Sequence, residues 1–312
     1  MLSAVEISSN VLLSEFTRFG IGGPADTFIR TASESAFLAA LKELRARGVA
    51  FLVIGGGTNM IVSDEGFRGT VLQFCGDSIR SEGTNVVAES GAVLQALVDH
   101  TVERGLKGLE TLAGIPGWVG AAVYGNAGAY GHSISERVHR VRFTDGLELR
   151  CLRSEDCEFR YRESIFKRNK EWVIFSVELE METAPAAELR VISGDILKVR
   201  NEKFPTTMKC AGSIFKNLLA AELPEAVLSR VPQKVIREGK IPAAYFLEQA
   251  GAKGLRNGGI QVAEYHANLL YNTGSGRAVE LCALIAELKA RVRAEFGIEL
   301  EEEVQYVGVH SA

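Results

Sequence analysis

The run GGGTN at residues 55–59 is the first stretch whose residue types could do chemistry. It directly follows VAFLVI (49–54), a short apolar run typical of a buried strand. Glycines at a strand end leave backbone N–H groups accessible, and the neighbouring hydroxyl and amide add polar groups, a combination that suits phosphate oxygens. The run is neither a Walker A loop nor a GxGxxG motif. Taken alone, it is explained equally well as a tight turn.

A second glycine-rich stretch, AGIPGWVGAAVYGNAGAYG, occupies residues 113–131. Glycine lacks a Cβ and weakens both helices and strands, so such a density indicates tight turns or a very close neighbour. Two separate stretches favour a long ligand that lies against the backbone in two places, and a dinucleotide fits that description. Close packing of helices or strands is the competing explanation.

Alternating helix and strand patterns would position these stretches. The last predicted helix has the clearest pattern, since residues 281, 284, 285, 288, 292 and 296 form one apolar stripe. Ser33 is the expected N-cap of the first helix. The predicted helices span 33–48, 92–105, about 188–202, 243–251 and 277–297. The predicted strands span 49–54, 70–74, 85–89 and 171–181, with a hairpin turning at Asp145-Gly146 and a final strand within 298–308.

Composition limits the class of protein. The chain has 312 residues, of which 46% are hydrophobic and 24% charged, and its net charge is −4. No overall basic field favours nucleic acid or an anionic membrane as partner. No signal peptide is expected, because Glu6 falls where an apolar segment would be, and no apolar run is long enough for a membrane span. The five cysteines form no CxxC pair, which predicts reduced thiols in a cytoplasmic protein and no metal site.

Eight motifs, taken in order, resemble one family. They are TRFGIGGPAD (17–26), GGGTNMIVSDEGFRG (55–69), LAGIPGWVGAAVYGNAGAYG (112–131), YRESIFK (161–167), AGSIFKN (211–217), AGAKGLRNGG (250–259), HANLLYN (266–272) and FGIELEEEV (296–304). The set resembles the UDP-N-acetylenolpyruvoylglucosamine reductases, flavoenzymes that make UDP-N-acetylmuramate for peptidoglycan. The resemblance runs across nearly the whole chain, and the short connection from YRES to AGS is similar to the compact type II subtype.

The resemblance implies an α+β chain with a two-subdomain FAD-binding fold (PCMH/VAO-like) followed by an α+β substrate-binding domain. On this basis we expect a first FAD subdomain at 1–80 and a second at 81–205. The substrate domain is expected at 206–300, and residues 301–312 are expected to return to the first subdomain. A monomer is expected.

FAD is the implied cofactor, held without a covalent link, and NADPH is the implied co-substrate. The resemblance assigns FAD contacts to both glycine-rich stretches. The implied FAD-binding residues are Gly55, Gly56, Gly57, Thr58, Asn59, Ala113, Gly114, Ile115, Pro116, Gly117, Gly120, Asn126, Ala127 and Gly128.

The family reaction reduces the enolpyruvyl double bond of a UDP-sugar, by hydride from the flavin and a proton from the protein. Ser213 of AGSIFKN matches the family's proton donor. Arg162 of YRES matches the arginine that holds the substrate carboxylate and stabilises the enolate, for which its planar fork is suited. Glu303, directly before the final strand pattern, matches the family's acid.

Substrate contacts are implied for six further residues, and some positions depart from the family pattern. The implied contacts are Tyr161, Lys203, Lys216, Asn217, Lys253 and His266. Trp118 stands where the family usually has a small residue, Gly125 where a longer side chain is usual, Thr58 where serine is commoner, and Glu302 where proline is common. None removes a group that the chemistry needs, although Trp118 alters the expected FAD contact.

Two other functions fit part of this sequence. Another flavin oxidase or dehydrogenase on the same fold would explain both glycine stretches, but not YRES, AGSIFKN and EEEV together. A nucleotide-sensing or scaffold protein would have no need of Arg162, Ser213 and Glu303, and all three are present.

Overall fold

A computed structural model describes residues 5–205 and 207–308 of the chain. Its α-helices are α1 (Glu34–Ala46), α2 (Leu94–Glu103), α3 (Val119–Tyr124), α4 (Ile165–Arg168), α5 (Ala186–Lys203), α6 (Glu225–Leu228), α7 (Ala243–Gln249) and α8 (Ala278–Phe296). Its first ten strands are β1 (Glu6–Leu12), β2 (Pro24–Thr31), β3 (Phe51–Ile54), β4 (Met60–Val62), β5 (Phe67–Phe74), β6 (Ile79–Glu82), β7 (Asn85–Glu89), β8 (Leu106–Lys107), β9 (Gly128–Ala129) and β10 (His132–Ser133). The remaining strands are β11 (Val138–Thr144), β12 (Leu149–Arg153), β13 (Val173–Glu180), β14 (Glu182–Thr183), β15 (Leu218–Leu219), β16 (Lys240–Ile241), β17 (Arg256–Asn257), β18 (Ile260–Ala263), β19 (His266–Asn272) and β20 (Gln305–Val307).

The chain divides into two compact units. The first comprises residues 1–11, 25–57 and 68–206, and the second comprises 12–24, 58–67 and 207–312. Most of the segments 1–80 and 81–205, predicted as two FAD subdomains, lie in the first unit, and the border between them stays a prediction. Two short pieces of the expected first subdomain, 12–24 and 58–67, belong instead to the second unit.

The first unit contains two main sheets. Strands β1-β2-β5-β3 form a four-stranded sheet in which β3 and β5 are parallel, with Phe51 opposite Thr70. Strands β12-β11-β13-β7-β6 form a five-stranded sheet that is antiparallel at every pairing. Helix α1 packs on residues from both sheets.

One aromatic cluster explains why the two sheets share a unit. Phe37 of α1, Phe74 of β5 and Phe175 of β13 contact one another edge to face, with ring centroids 5.0–6.2 Å apart. All three are almost fully buried in one hydrophobic cluster. Edge-to-face pairs add to the stabilisation that burial of the rings provides. Residues before and after position 80 therefore share this core.

The second unit packs α7 and α8 with the β17-β18-β19 sheet. The predicted apolar stripe of α8 is buried, and Phe296 contacts Phe246 with ring centroids 5.1 Å apart. Side-chain hydrogen bonds connect the short segments 12–24 and 58–67 to the rest of the second unit. The Asn272 amide donates to the carbonyl of Phe19 (2.9 Å), and the Asp64 carboxylate accepts from the backbone N–H of Ala278 (2.8 Å) at the start of α8.

The five predicted helices and the four predicted central strands are confirmed, with ends shifted by at most three residues. The Ser33 hydroxyl accepts a hydrogen bond from the N–H of Ala36, as expected of an N-cap. The strand predicted within 298–308 is confirmed only at Gln305–Val307, which pairs in parallel with Met60–Val62. The preceding residues were wrongly expected to be strand, since they form only an isolated bridge, Phe215 to Glu302.

Candidate active site

The glycine turn at 55–57 is anchored at its start and has accessible donors at its centre. The Gln73 amide on β5, which is 3% exposed, donates to the carbonyl of Gly55 at 2.9 Å. Gly57 has a φ of +62°, a left-handed conformation that suits glycine. The backbone N–H groups of Gly56 and Gly57 donate to no other residue among those that the structure describes. This geometry agrees with an anion-binding turn.

The second glycine-rich stretch has packing reasons for three of its glycines. A Cβ added at Gly120 would lie 2.6 Å from the Cβ of Ser90, and one at Gly128 would lie 2.4 Å from the carbonyl oxygen of His132. Gly114 has a φ of +74°, and its N–H donates to the Gln95 side chain at 2.6 Å. At Gly120 and Gly128 close packing, the alternative that the sequence left open, is sufficient to explain glycine, and at Gly114 the left-handed backbone is.

The YRES loop is attached to the end of that stretch. Asn126, 5% exposed, donates from its amide to the carbonyl of Arg160 at 2.9 Å. Arg162 donates from Nη2 to the carbonyl of Gly128 at 2.9 Å, and its guanidinium lies 5.2 Å from the ring centroid of Tyr161. Arg162 also has a φ of +58°, which is uncommon for a residue with a side chain. The contacts with Gly128 and Tyr161 therefore hold the guanidinium group of Arg162 in place.

Ser213 lies on a short segment that a buried asparagine fixes. Asn268, 2% exposed, accepts from the N–H of Phe215 and donates to its carbonyl, both at 2.9 Å. Ser213 itself forms a bridge with Leu269, and Gly212 before it has a φ of +81°. The half-buried Ser213 is thus placed by paired backbone on one side and a glycine turn on the other.

The three consecutive glutamates have different surroundings. The Glu301 carboxylate contacts Lys216 Nζ at 2.5 Å, and the Glu302 carboxylate contacts Lys289 Nζ at 2.7 Å. Glu303 is half-buried and donates from its backbone N–H to the carbonyl of Ile214 at 2.7 Å. The structure therefore places Glu303 beside the residue that follows Ser213.

Asn59, predicted to contact the cofactor, has a structural role within the second unit. Its side-chain amide donates to the carbonyl of Glu303 at 3.0 Å, and its own carbonyl accepts from the N–H of Gln305 at 2.9 Å. These bonds fix the backbone of Glu303 and of the residues that follow it.

The remaining predicted substrate residues are distributed over both units. Lys203 lies at the end of α5, where burial, and to a lesser extent the positive charge of Arg200, lowers its pKa. Lys253 lies 3.2 Å from the Glu248 carboxylate, and the Asn217 side chain accepts from the N–H of Ala243 at 3.4 Å. His266 accepts at Nδ1 from the N–H of Asn268 at 3.2 Å. His266 is thus linked through Asn268 to Phe215, on the segment that also carries Ser213 and Lys216.

Several supporting residues were not found from the sequence. Gln73, Gln95 and Asn268 each hold a predicted site segment through a side-chain to backbone hydrogen bond. Asn268 lies in the HAN motif and could have been suggested by it. Neither glutamine had a local signal, because an isolated amide within a helix or strand pattern resembles an ordinary surface residue.

Family comparisons match both parts of the chain. A profile described as FAD binding domain matches residues 25–148, and one described as UDP-N-acetylenolpyruvoylglucosamine reductase, C-terminal domain, matches residues 204–307. The chain is 66% identical over 302 residues to the UDP-N-acetylenolpyruvoylglucosamine reductase of Solibacter usitatus, covering 97% of each. It is 36% identical to that of Rubrobacter xylanophilus, covering 95% of this chain and 93% of the relative.

This chain belongs to the UDP-N-acetylenolpyruvoylglucosamine reductase family. The crystal structure of the Thermus caldophilus reductase agrees, with a TM-score of 0.75 at 28% identity and coverage of 98% of this chain and 100% of that one. The resemblance found in the sequence is therefore confirmed, as is the α+β FAD-binding fold. In the described parts of the chain no helix is long and apolar enough to cross a membrane. The same residues contain no cluster of three His, Cys, Asp or Glu side chains able to hold a metal ion.

Proposed function

We propose that this chain reduces UDP-N-acetylglucosamine enolpyruvate to UDP-N-acetylmuramate, a peptidoglycan precursor, using NADPH and non-covalently bound FAD. The strongest support is the 66% identity to a named reductase over 97% of the chain, a span that includes both site segments. The proposal extends to a cytoplasmic monomer that acts on a small UDP-sugar and contributes to cell-wall synthesis and division.

FAD is assigned to the two glycine-rich segments of the first unit. A Cβ at Gly56 would lie 3.0 Å from the ring of Trp118, so the turn offers a surface that only glycine provides, with the N–H groups of Gly56 and Gly57 directed to no described acceptor. Such donors fit a diphosphate. When bound, FAD supplies the hydride that the reduction requires.

Arg162 is assigned to the substrate carboxylate. Addition of hydride to the vinyl carbon leaves negative charge that is shared with that carboxylate, and a planar guanidinium can meet both oxygens. The hydrogen bond from Arg162 to the carbonyl of Gly128 orients the guanidinium group before substrate binds. Tyr161, whose ring lies beneath the guanidinium, supports this orientation.

Ser213 is assigned the proton that completes the reaction. A serine hydroxyl is a weak acid, so it can donate only to a strongly basic carbon while the charge of the carboxylate is balanced. The rigid segment held by Asn268 gives the hydroxyl a defined position. Glu303, fixed through its backbone to Ile214 and Asn59, is assigned to the same proton-transfer region.

The UDP-sugar is assigned to six polar side chains: Tyr161, Lys203, Lys216, Asn217, Lys253 and His266. Lysine ammonium groups suit the diphosphate of the nucleotide sugar as point charges. Lys216 and Lys253 already contact glutamates, so we expect substrate binding to compete with these ion pairs.

An anaerobic absorbance titration tests the proposal. The purified protein should show a bound flavin band that NADPH bleaches and that UDP-N-acetylglucosamine enolpyruvate restores. Ser213→Ala should bleach normally but recover about 10²–10⁴-fold more slowly, the usual contribution of a general acid. Ser229→Ala, at an exposed serine, is the matched control and should recover like wild type.

Each alternative result has a distinct meaning. A flavoprotein that bleaches but is not reoxidised by this substrate would be another oxidoreductase on the same fold. A chain that takes up no FAD would remove the assignment of both glycine-rich segments. Normal recovery in Ser213→Ala would leave the activity standing and remove Ser213 as the proton donor.

A further inference from the structure

The indole of Trp118 covers the glycine turn. A Cβ added at Gly56 would lie 3.0 Å from Cδ1 and 3.1 Å from Nε1 of Trp118, and one added at Gly55 would lie 4.0 Å from its Cε3. Trp118 belongs to the second glycine-rich stretch, so it connects the two segments to which FAD is assigned. This contact exists only because residue 56 has no side chain.

The backbone fixes the position of this ring. Trp118 is extended, with φ −103° and ψ 155°, and directly precedes α3. Its carbonyl accepts from the N–H of Ala122 at 3.0 Å, and Trp118 forms a bridge with Val93. The preceding carbonyl, of Gly117, accepts from the N–H of Leu94 at 2.9 Å. Bonds on both sides of the residue therefore fix the backbone from which the indole reaches the turn.

The polar edge of the ring has no acceptor among the residues that the structure describes. Trp118 is half-buried, and its Nε1 is not one of the buried polar atoms that lack a partner, so this N–H is accessible to a ligand. The N–H groups of Gly56 and Gly57 likewise donate to no described residue. Three N–H donors of this turn and the indole above it thus have no acceptor among the described residues, and a diphosphate would supply several oxygens.

We infer that Trp118 is a FAD-binding residue whose indole N–H donates a hydrogen bond to the cofactor diphosphate at the Gly55–Gly57 turn. This rests on the proposed function, because it takes FAD as the ligand. It gives the bulky residue, which departs from the family's usual small one, a specific role as a third donor beside two backbone N–H groups.

Equilibrium titration of the apoprotein tests this role. Trp118→Phe keeps an aromatic ring over the turn and removes the N–H, so its Kd for FAD should rise about 10- to 100-fold, the value of a hydrogen bond to a charged group. Its affinity for FMN, which has no diphosphate, should stay within about twofold of wild type. Trp172→Phe is the matched control, since Trp172 packs in the core with Phe143 and Phe166.

Fluorescence gives a second readout that is independent of activity. The chain has two tryptophans, so Trp172→Phe leaves Trp118 as the single indole emitter. Adding ADP, which carries the diphosphate but no flavin, should shift that emission without energy transfer to a flavin. The same addition should leave the emission of Trp118→Phe, which reports Trp172, unchanged.

Three results would overturn the inference. Equal FAD affinity in Trp118→Phe and wild type would show that the N–H makes no bond to the cofactor. Tighter binding in the variant would show that the ring obstructs the turn. Wild-type apoprotein that binds no FAD would overturn both this inference and the proposed function, whereas the first two results leave the proposed function intact.

Discussion

The ion pair between Lys289 and Glu302 offers a quantitative test of how the acidic segment is held. Lys289 Nζ lies 2.7 Å from the Glu302 carboxylate, and their side chains are 18% and 11% exposed. Replacing one partner leaves a largely buried charge without its counter-ion, which costs about 3–5 kcal/mol when burial is complete. The remaining exposure reduces this, so Lys289→Met should lower the free energy of unfolding by about 2–4 kcal/mol.

A double-mutant cycle separates the pair from general damage. In Lys289→Met with Glu302→Leu both charges are replaced by apolar groups, a change that is often neutral for a buried pair. The double variant should therefore be more stable than Lys289→Met alone. Urea unfolding at fixed, saturating FAD is the measurement, because bound cofactor itself raises apparent stability.

Arg291 and Glu287 provide the control on the same helix. This pair lies at 2.7 Å but is 42% and 47% exposed, so Arg291→Met should cost less than about 1 kcal/mol. If Lys289→Met costs no more than Arg291→Met, or if the two changes in the cycle simply add, then burial does not govern this ion pair and the reasoning is refuted.

Three further predictions concern the packing, hydrogen bonding and charge that support the fold. Asn268→Leu removes two hydrogen bonds and leaves the backbone N–H and carbonyl of Phe215 unpaired. It should lower the free energy of unfolding, measured in urea, by about 2–4 kcal/mol, and it should also slow flavin reoxidation. Unchanged reoxidation kinetics would contradict the positioning role of Asn268. Gly120→Ala should destabilise even the FAD-free protein by about 1–3 kcal/mol, because its Cβ would lie 2.6 Å from a serine Cβ. Gly194→Ala, a helical position with nothing within 4 Å, should instead stabilise by about 0.5–1 kcal/mol, and similar behaviour of both variants would refute the packing explanation. Burial, and to a lesser extent the positive charge of Arg104, lowers the folded-state pKa of His100 below 6.5. The unfolded chain therefore binds a proton at His100 more readily than the folded one. Stability should therefore fall as the pH drops below about 6.5, and less so in His100→Gln; equal pH profiles of thermal unfolding would contradict this.

The amino-acid sequence was sufficient to predict the family and most of the helices and strands. The buried stripe of α8 and the N-cap at Ser33 are local patterns, so periodicity and residue type were sufficient to predict them. The ordered motifs identified a flavin-dependent reductase, which the 66% identical relative confirms. Ser213 and Arg162 were predicted as site residues only because they lie in those motifs, since an isolated serine or arginine has no local signature of catalysis.

Tertiary structure decided which groups share a core or a hydrogen bond. The packing of Phe37 with Phe74 and Phe175 brings residues that are about 100 to 140 positions apart at the extremes into one cluster, a contact that no local pattern predicted. Gly120 is explained by its neighbour Ser90, which is thirty positions away in sequence, and the indole of Trp118 lies on Gly56. Side-chain contact between distant residues depends on the relative placement of whole elements. Local patterns cannot encode that placement, and so the sequence indicated where glycine was needed but not what approached it.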